Sequence, residues 1–296
     1  MSLTLGSGPL AGSPGGAFNF SLDDAPPHRI FFEAYPRRLR GMVGNRVVVD
    51  TLGARLLHET AIPPVAYVPL DDVDASVLTR TDTRTHCPFK GDASYWTVTV
   101  GERVVPDALW AYEEPLPTAS WLRGYGAFYW DRVDRWFVEG DEVHGRLRDP
   151  YHRVDVHTSS RPVVVRAGGT VVARSERPKM LFETGAVPRV YVPREDVADG
   201  VLQQGQGGSW CEWKGQATYW DVVVGDRREP SVGWSYESPT SSYEHLAGAV
   251  AFYPGRLGRV TVDGEVVRPQ PGNFYGGWIT NEVVGPFKGA PGTLGW

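Results

Sequence analysis

Apolar residues in this chain come in runs of only a few, and most runs end at Gly, Pro or Asn. Val47-Val48-Val49 follows the turn pair Gly44-Asn45, and Val171-Val172 follows Gly168-Gly169-Thr170. Each reads as a hairpin. Ala66-Tyr67-Val68-Pro69 and Val190-Tyr191-Val192-Pro193 read as strands that stop at proline, which has no N–H to give to a ladder. Residues 95–101 and 219–225 read as strands ending in glycine turns. Trp110-Ala111-Tyr112, Trp234-Ser235-Tyr236 and the two Phe-Tyr pairs at 128–129 and 252–253 read the same way. A last hairpin covers 136–143, and its counterpart covers 260–267 around Asp263-Gly264. Short helices are predicted over 71–78 and 195–202, where acidic residues open the first turn and favour the helix dipole, and over 118–124 and 242–248. These helices are too few and too short to serve as crossovers between parallel strands. The pattern predicts a mainly β chain of compact, antiparallel, barrel- or sandwich-like domains with short helices.

The pattern occurs twice. Cys87-Pro88-Phe89-Lys90-Gly91, followed by Ala93, Tyr95 and Trp96, returns 124 residues later as Cys211-Glu212-Trp213-Lys214-Gly215 with Ala217, Tyr219 and Trp220. Residues 59–129 and 183–253 share 30 of 71 positions without a gap. Solenoid repeats run to about 20–50 residues, so a period this long marks a duplicated domain. The boundaries read as a flexible leader over 1–36 that becomes ordered near Arg29-Ile30-Phe31-Phe32, a first domain over 37–146, and a join over 147–160. A second domain over 161–270 and a tail over 271–296, packed on the domains, complete the layout. The two homologous domains are expected to pack as a pseudo-dimer within one chain.

Composition narrows the function classes. The chain has 296 residues, a net charge of −5 and no basic stripe, which argues against nucleic acid as a partner. No apolar run approaches the roughly 20 residues of a membrane helix, and the Gly/Ser/Pro-rich start lacks the form of a signal peptide. The two cysteines sit at equivalent repeat positions, which disfavours a disulfide and a Cys/His zinc site. No metal and no cofactor are expected, and the location expected is cytoplasmic.

The motif series resembles the domain-of-unknown-function 427 family in its tandem two-copy form. The resemblance rests on Glu-Thr with a downstream Tyr-x-Pro-x-x-Asp-Val (59–73 and 183–197), then Cys-Pro-x-Lys-Gly-x-Ala-x-Tyr, Trp-x-Tyr and Ala-Phe-Tyr. The join around Asp149-Pro150-Tyr151-His152-Arg153 and the tail motifs Asn273-Phe274-Tyr275-Gly276-Gly277-Trp278-Ile279 and Gly285-Pro286-Phe287-Lys288-Gly289 extend it. In the second copy Glu212 and Trp213 depart from the pattern, so the two sites are not expected to be equivalent. The resemblance implies a small, mostly β domain and little about activity. The nucleotidyltransferase-like label that such domains sometimes carry is not transferred, because the chain shows neither a Gly-Ser followed by paired Asp residues nor a Walker-type loop.

The retained residues define the candidates for chemistry. Glu59 and Glu183 follow apolar runs, which suits either a desolvated base or a turn-capping carboxylate. Lys90 and Lys214 sit beside an obligate Gly and suit an anion anchor or a salt bridge to Glu59 or Glu183. Cys87 precedes Lys90 by three residues and follows His86, a setting for a thiolate nucleophile, against a buried Cys acting as a small apolar residue. The other histidines find few counterparts across the repeat, so a shared histidine mechanism is not expected. Tyr67, Tyr95, Trp96, Trp110 and Tyr112, with Tyr191, Tyr219, Trp220, Trp234 and Tyr236, are either core or the walls of a ligand pocket. The function expected is small-molecule binding in the cytoplasm, with enzymatic use of a Glu/Lys/Tyr-lined pocket in each repeat left open. The alternative is a noncatalytic ligand- or protein-binding module whose aromatics mainly fill the core.

Overall fold

The computed structural model of the chain describes residues 26–60, 62–285 and 287–290. Most of the expected leader and the last six residues of the expected tail lie outside these. Contacts divide the described residues into two units, one holding residues 28–147 and the other holding those from 148 onward together with 26–27. Each unit is built on the same plan.

In the first unit a seven-stranded antiparallel sheet carries, in spatial order, Ile30–Ala34, Arg55–Glu59, Ile62–Pro69, Tyr125–Phe128, Arg103–Ala111, Gly91–Val100 and Leu78–Cys87. A smaller sheet runs Asp141–Val143, Arg135–Val138, Leu39–Val43, Arg46–Thr51. The second unit repeats both sheets, from Val154–Thr158 at one edge to Leu202–Cys211 at the other. The fold is therefore mainly β and antiparallel, with open sheets in place of a closed barrel.

Side chains alternate between the faces of a strand, and here both faces of the large sheet are buried. Leu56, Val68 and Phe128 face one core, shared with Leu39, Val49 and Trp136 of the small sheet. Their chain neighbours Leu57, Tyr67 and Ala127 face a second core, where they meet Tyr95, Tyr112 and Leu122. The expected helices over 118–124 and 242–248 are 3-10 segments, Pro117–Leu122 and Ser241–Leu246, each kinked within, at Ala119 and at Tyr243, and their Leu122 and Leu246 plug that second core. The helices expected over 71–78 and 195–202 are one-turn 3-10 pieces, Leu70–Asp72 and Ala75–Val77, and Arg194–Asp196.

Two segments read as connections are parts of the sheets. Ile30–Ala34, inside the expected leader, pairs with Arg55–Glu59, Ile30 opposite Glu59. Val154–Thr158, inside the expected join, pairs with Lys179–Glu183, Val154 opposite Glu183. The tail returns to the second domain: Trp278 and Ile279 pair with Arg268 and Pro269 and are buried, and the Trp278 indole donates to the Phe252 carbonyl at 3.0 Å.

Candidate functional site

Each candidate site forms where the large sheet coils on itself. The strand holding Glu59 lies next to one edge, and the Cys87–Gly91 turn lies at the other. At this end the two edges meet. Lys90 Nζ donates a short hydrogen bond to Glu59 Oε2, and both side chains are 8% exposed. His28, just ahead of the edge strand, meets Glu59 Oε1 through Nε2 at 2.9 Å. The same imidazole stacks on Phe89 of the turn, with ring centres 3.7 Å apart and planes 11° apart. Glu59 is fixed from behind, because the Thr60 N–H donates to the Arg29 carbonyl and the Thr60 hydroxyl accepts from the Arg29 N–H. The turn is fixed as well: the Lys90 N–H donates to the Cys87 carbonyl, and the Lys90 carbonyl accepts from Leu116. Gly91 has φ near 104°, a conformation glycine supplies at low cost, which accounts for the Lys-Gly pair.

The second domain rebuilds this arrangement at the same offset. Glu183 Oε1 meets His152 Nε2 at 3.0 Å, and Thr184 holds Arg153 as Thr60 holds Arg29. His152 packs on Trp213, ring centres 4.2 Å apart. One contact differs. Arg189 stands where the first domain has Val65, and its Nη2 takes Glu183 Oε2 in a short hydrogen bond. Lys214 Nζ is then 3.7 Å from that oxygen. Burial pushes the Glu183 carboxyl up, but Arg189, the His152 hydrogen bond and Lys214 outweigh it and hold the group well below the usual carboxylate range. Burial pulls Lys214 down most strongly, but Glu183, Cys211 and Tyr191 together outweigh it and hold the ammonium above its usual range. The tail adds Lys288, buried, influenced by Glu183 and Arg189, and lowered by burial to about 8.

The structure thus joins Glu59 to Lys90 and Glu183 to Lys214, the salt-bridge alternative for these pairs. One histidine pair went unnoticed among the candidates: His28 and His152 are counterparts, and each meets the glutamate of its domain. His28-Arg29 and His152-Arg153 carry the 124-residue offset in the sequence itself. Arg189 and Lys288 were not among the candidates. The signal for Lys288 is a second occurrence of Pro-Phe-Lys-Gly, at 286–289 after 88–91.

Cys87 and Cys211 are free, half-buried thiols beside the tyrosine-rich cores. His86 does not serve Cys87: its exposed ring meets Asp92 at 2.6 Å, as opposite-facing neighbours on a strand require.

The ten candidate aromatics do not share one wall. Tyr67, Tyr95 and Tyr112, with Tyr191 and Tyr236, are buried in the core on the site's side of the sheet, and burial pushes the Tyr67, Tyr112, Tyr191 and Tyr236 hydroxyls up. Trp110 and Tyr219 pack at its margin, and Trp234 lies within it. Trp96 and Trp220 point to the other face and pack against the cores shared with the small sheets. Trp234 Nε1 donates to the Tyr191 hydroxyl at 3.1 Å, and a Cβ on tail residue Gly276 would come within 2.4 Å of its ring. The tail therefore covers Trp234, which is 6% exposed. A cavity of about 220 Å³ in the second domain is lined by Ala167, Val222, Arg227, Arg256 and Leu257 among others, and by none of the candidate residues.

A family model described as Domain of unknown function (DUF427) matches residues 31–139 and again 155–268. The chain belongs to this family and carries two copies of its domain. No curated protein matches the chain. Among the described residues, no helix is long and apolar enough to cross a membrane.

Proposed function

We propose that this chain binds a small molecule at the Glu59–Lys90 site of its first domain, with Glu59 as acid–base group and Lys90 as the anchor for an anionic or carbonyl oxygen. The observation that carries the reading is the retention of a buried His–Glu–Lys cluster in both domains while most other positions diverged. Stability alone does not call for it, because a buried ion pair is matched or exceeded in stability by well-packed apolar residues. His28 supports a route in from solvent, with 26% of its side chain exposed beside a buried carboxylate. The cytoplasmic setting belongs to this reading and rests on the cysteine pattern.

A second reading is favoured by the burial of the tyrosines. If Tyr67, Tyr95 and Tyr112 serve only as core, the domain is a noncatalytic module and the ion pair is a clasp that closes the coiled sheet. Native mass spectrometry of the purified protein separates the two. The proposal expects a small-molecule adduct on the wild-type chain that is lost in the Glu59→Gln variant. An adduct that persists in Glu59→Gln places the ligand elsewhere, and a chain that never carries one supports the clasp.

A further inference from the structure

The second domain has a charge imbalance that the first lacks. In the first, one carboxylate faces one ammonium, Lys90, in direct hydrogen-bond contact. In the second, Glu183 faces two buried cations. Arg189 and Lys214 are 4% and 3% exposed, and Arg189 has taken the carboxylate oxygen that the lysine uses in the first domain. Lys214 Nζ, at 3.7 Å from Glu183 and 5.9 Å above the Tyr236 ring centre, makes no hydrogen bond to any described residue. An ammonium carries three donors, and Glu183 reaches this one only as a charge contact at 3.7 Å, which leaves donor capacity for a further acceptor. Against the pull of burial, Glu183 together with Cys211 and Tyr191 keeps this lysine charged. The remaining oxygen of Glu183 is engaged by His152. Asp149 is also buried and accepts the Tyr151 N–H through Oδ1 at 2.9 Å, and the Glu212 backbone carbonyl accepts from Arg148. The tail lysine, Lys288, strengthens the positive field.

We propose that the second domain binds a small oxyanion, the phosphate or carboxylate group of a small molecule, between Arg189 and Lys214. Arg189 gives one Nη2 hydrogen to Glu183 and one Nη1 hydrogen to the Val187 carbonyl at 3.4 Å, and its remaining N–H groups beside the ammonium suit the oxygens of such an anion. Val65 leaves the first domain without this guanidinium, so the two sites differ in charge preference. The inference concerns the second domain alone and stands whether or not the first-domain site takes a ligand.

The test is the thermal unfolding midpoint of the full chain in inorganic phosphate, in acetate and in chloride at equal ionic strength, since a ligand that binds only the folded state raises the midpoint by mass action. The proposal expects phosphate, acetate or both to raise the second-domain midpoint above chloride. Which of them does so identifies the group. Arg189→Val installs the residue that the first domain already tolerates, and it should weaken the apparent affinity by about tenfold or more, the loss of one hydrogen bond to a charged group. Lys214→Met should do the same. Equal midpoints in all three anions, or an unchanged phosphate or acetate effect in both Arg189→Val and Lys214→Met, would overturn the proposal.

Discussion

At the scale of single residues, Glu59 carries most of the argument. It holds Lys90 with one oxygen and His28 with the other, and 8% of its side chain meets solvent. Glu59→Gln keeps the shape and leaves the Lys90 charge buried without its counter-charge, a loss of about 3–5 kcal/mol. Glu59→Leu/Lys90→Met removes both charges and should cost less than Glu59→Gln alone. Urea unfolding of the first domain measures both. A double variant as unstable as the sum of the single losses would show that the two groups do not support each other. The Glu and Lys were readable from the sequence because both copies retain them amid drift. Arg189 was not, since it is a site residue in one copy only and stands opposite an unremarkable valine.

At the scale of elements, the repeat keeps pairing partners more faithfully than residues. Ile30–Ala34 and Val154–Thr158 occupy the same edge, yet Ile-Phe-Phe-Glu-Ala shares no residue with Val-Asp-Val-His-Thr. Identity therefore hides these strands, and only the register against Glu59 and Glu183 reveals them. The central strands were legible because turns and prolines bound them. The helices were legible in place but not in type, since only short 3-10 turns fit between strands. The small sheets show how packing compensates. Gly41 lies opposite Trp136, and the corresponding second-domain pair is Val165 opposite Val260. A Cβ on Gly41 would come within 2.8 Å of the Trp136 ring and 3.1 Å of Val49. Gly41→Val should therefore destabilise the first domain by about 1–3 kcal/mol through overpacking. Trp136→Val should relieve that clash while leaving a cavity of its own. The pair should show a favourable coupling of about 1 kcal/mol in a double-mutant cycle followed by calorimetry. Simple additivity would mean that the two side chains do not compete for one space.

At the scale of the molecule, duplication produced two domains with one architecture and two electrostatic settings. The first keeps a balanced Glu–Lys pair with a partly exposed histidine at its rim. The second adds Arg189, and the tail covers its tryptophan. Domain number, strand content and the positions of Glu, Lys and Cys follow from the sequence. The histidines' role and the burial of the tyrosines depend on how far the sheet coils, which no local pattern encodes. The central claim is that the first-domain cluster binds a ligand and does more than clasp the sheet. The direct measurement is a fragment screen by ligand-observed NMR on the wild-type chain and on Glu59→Leu/Lys90→Met, whose first domain is expected to stay folded because both charges leave together. The account predicts fragments with an anionic or carbonyl oxygen that bind the wild type and are lost in the variant. Identical binding to both proteins, with the variant folded, would contradict it.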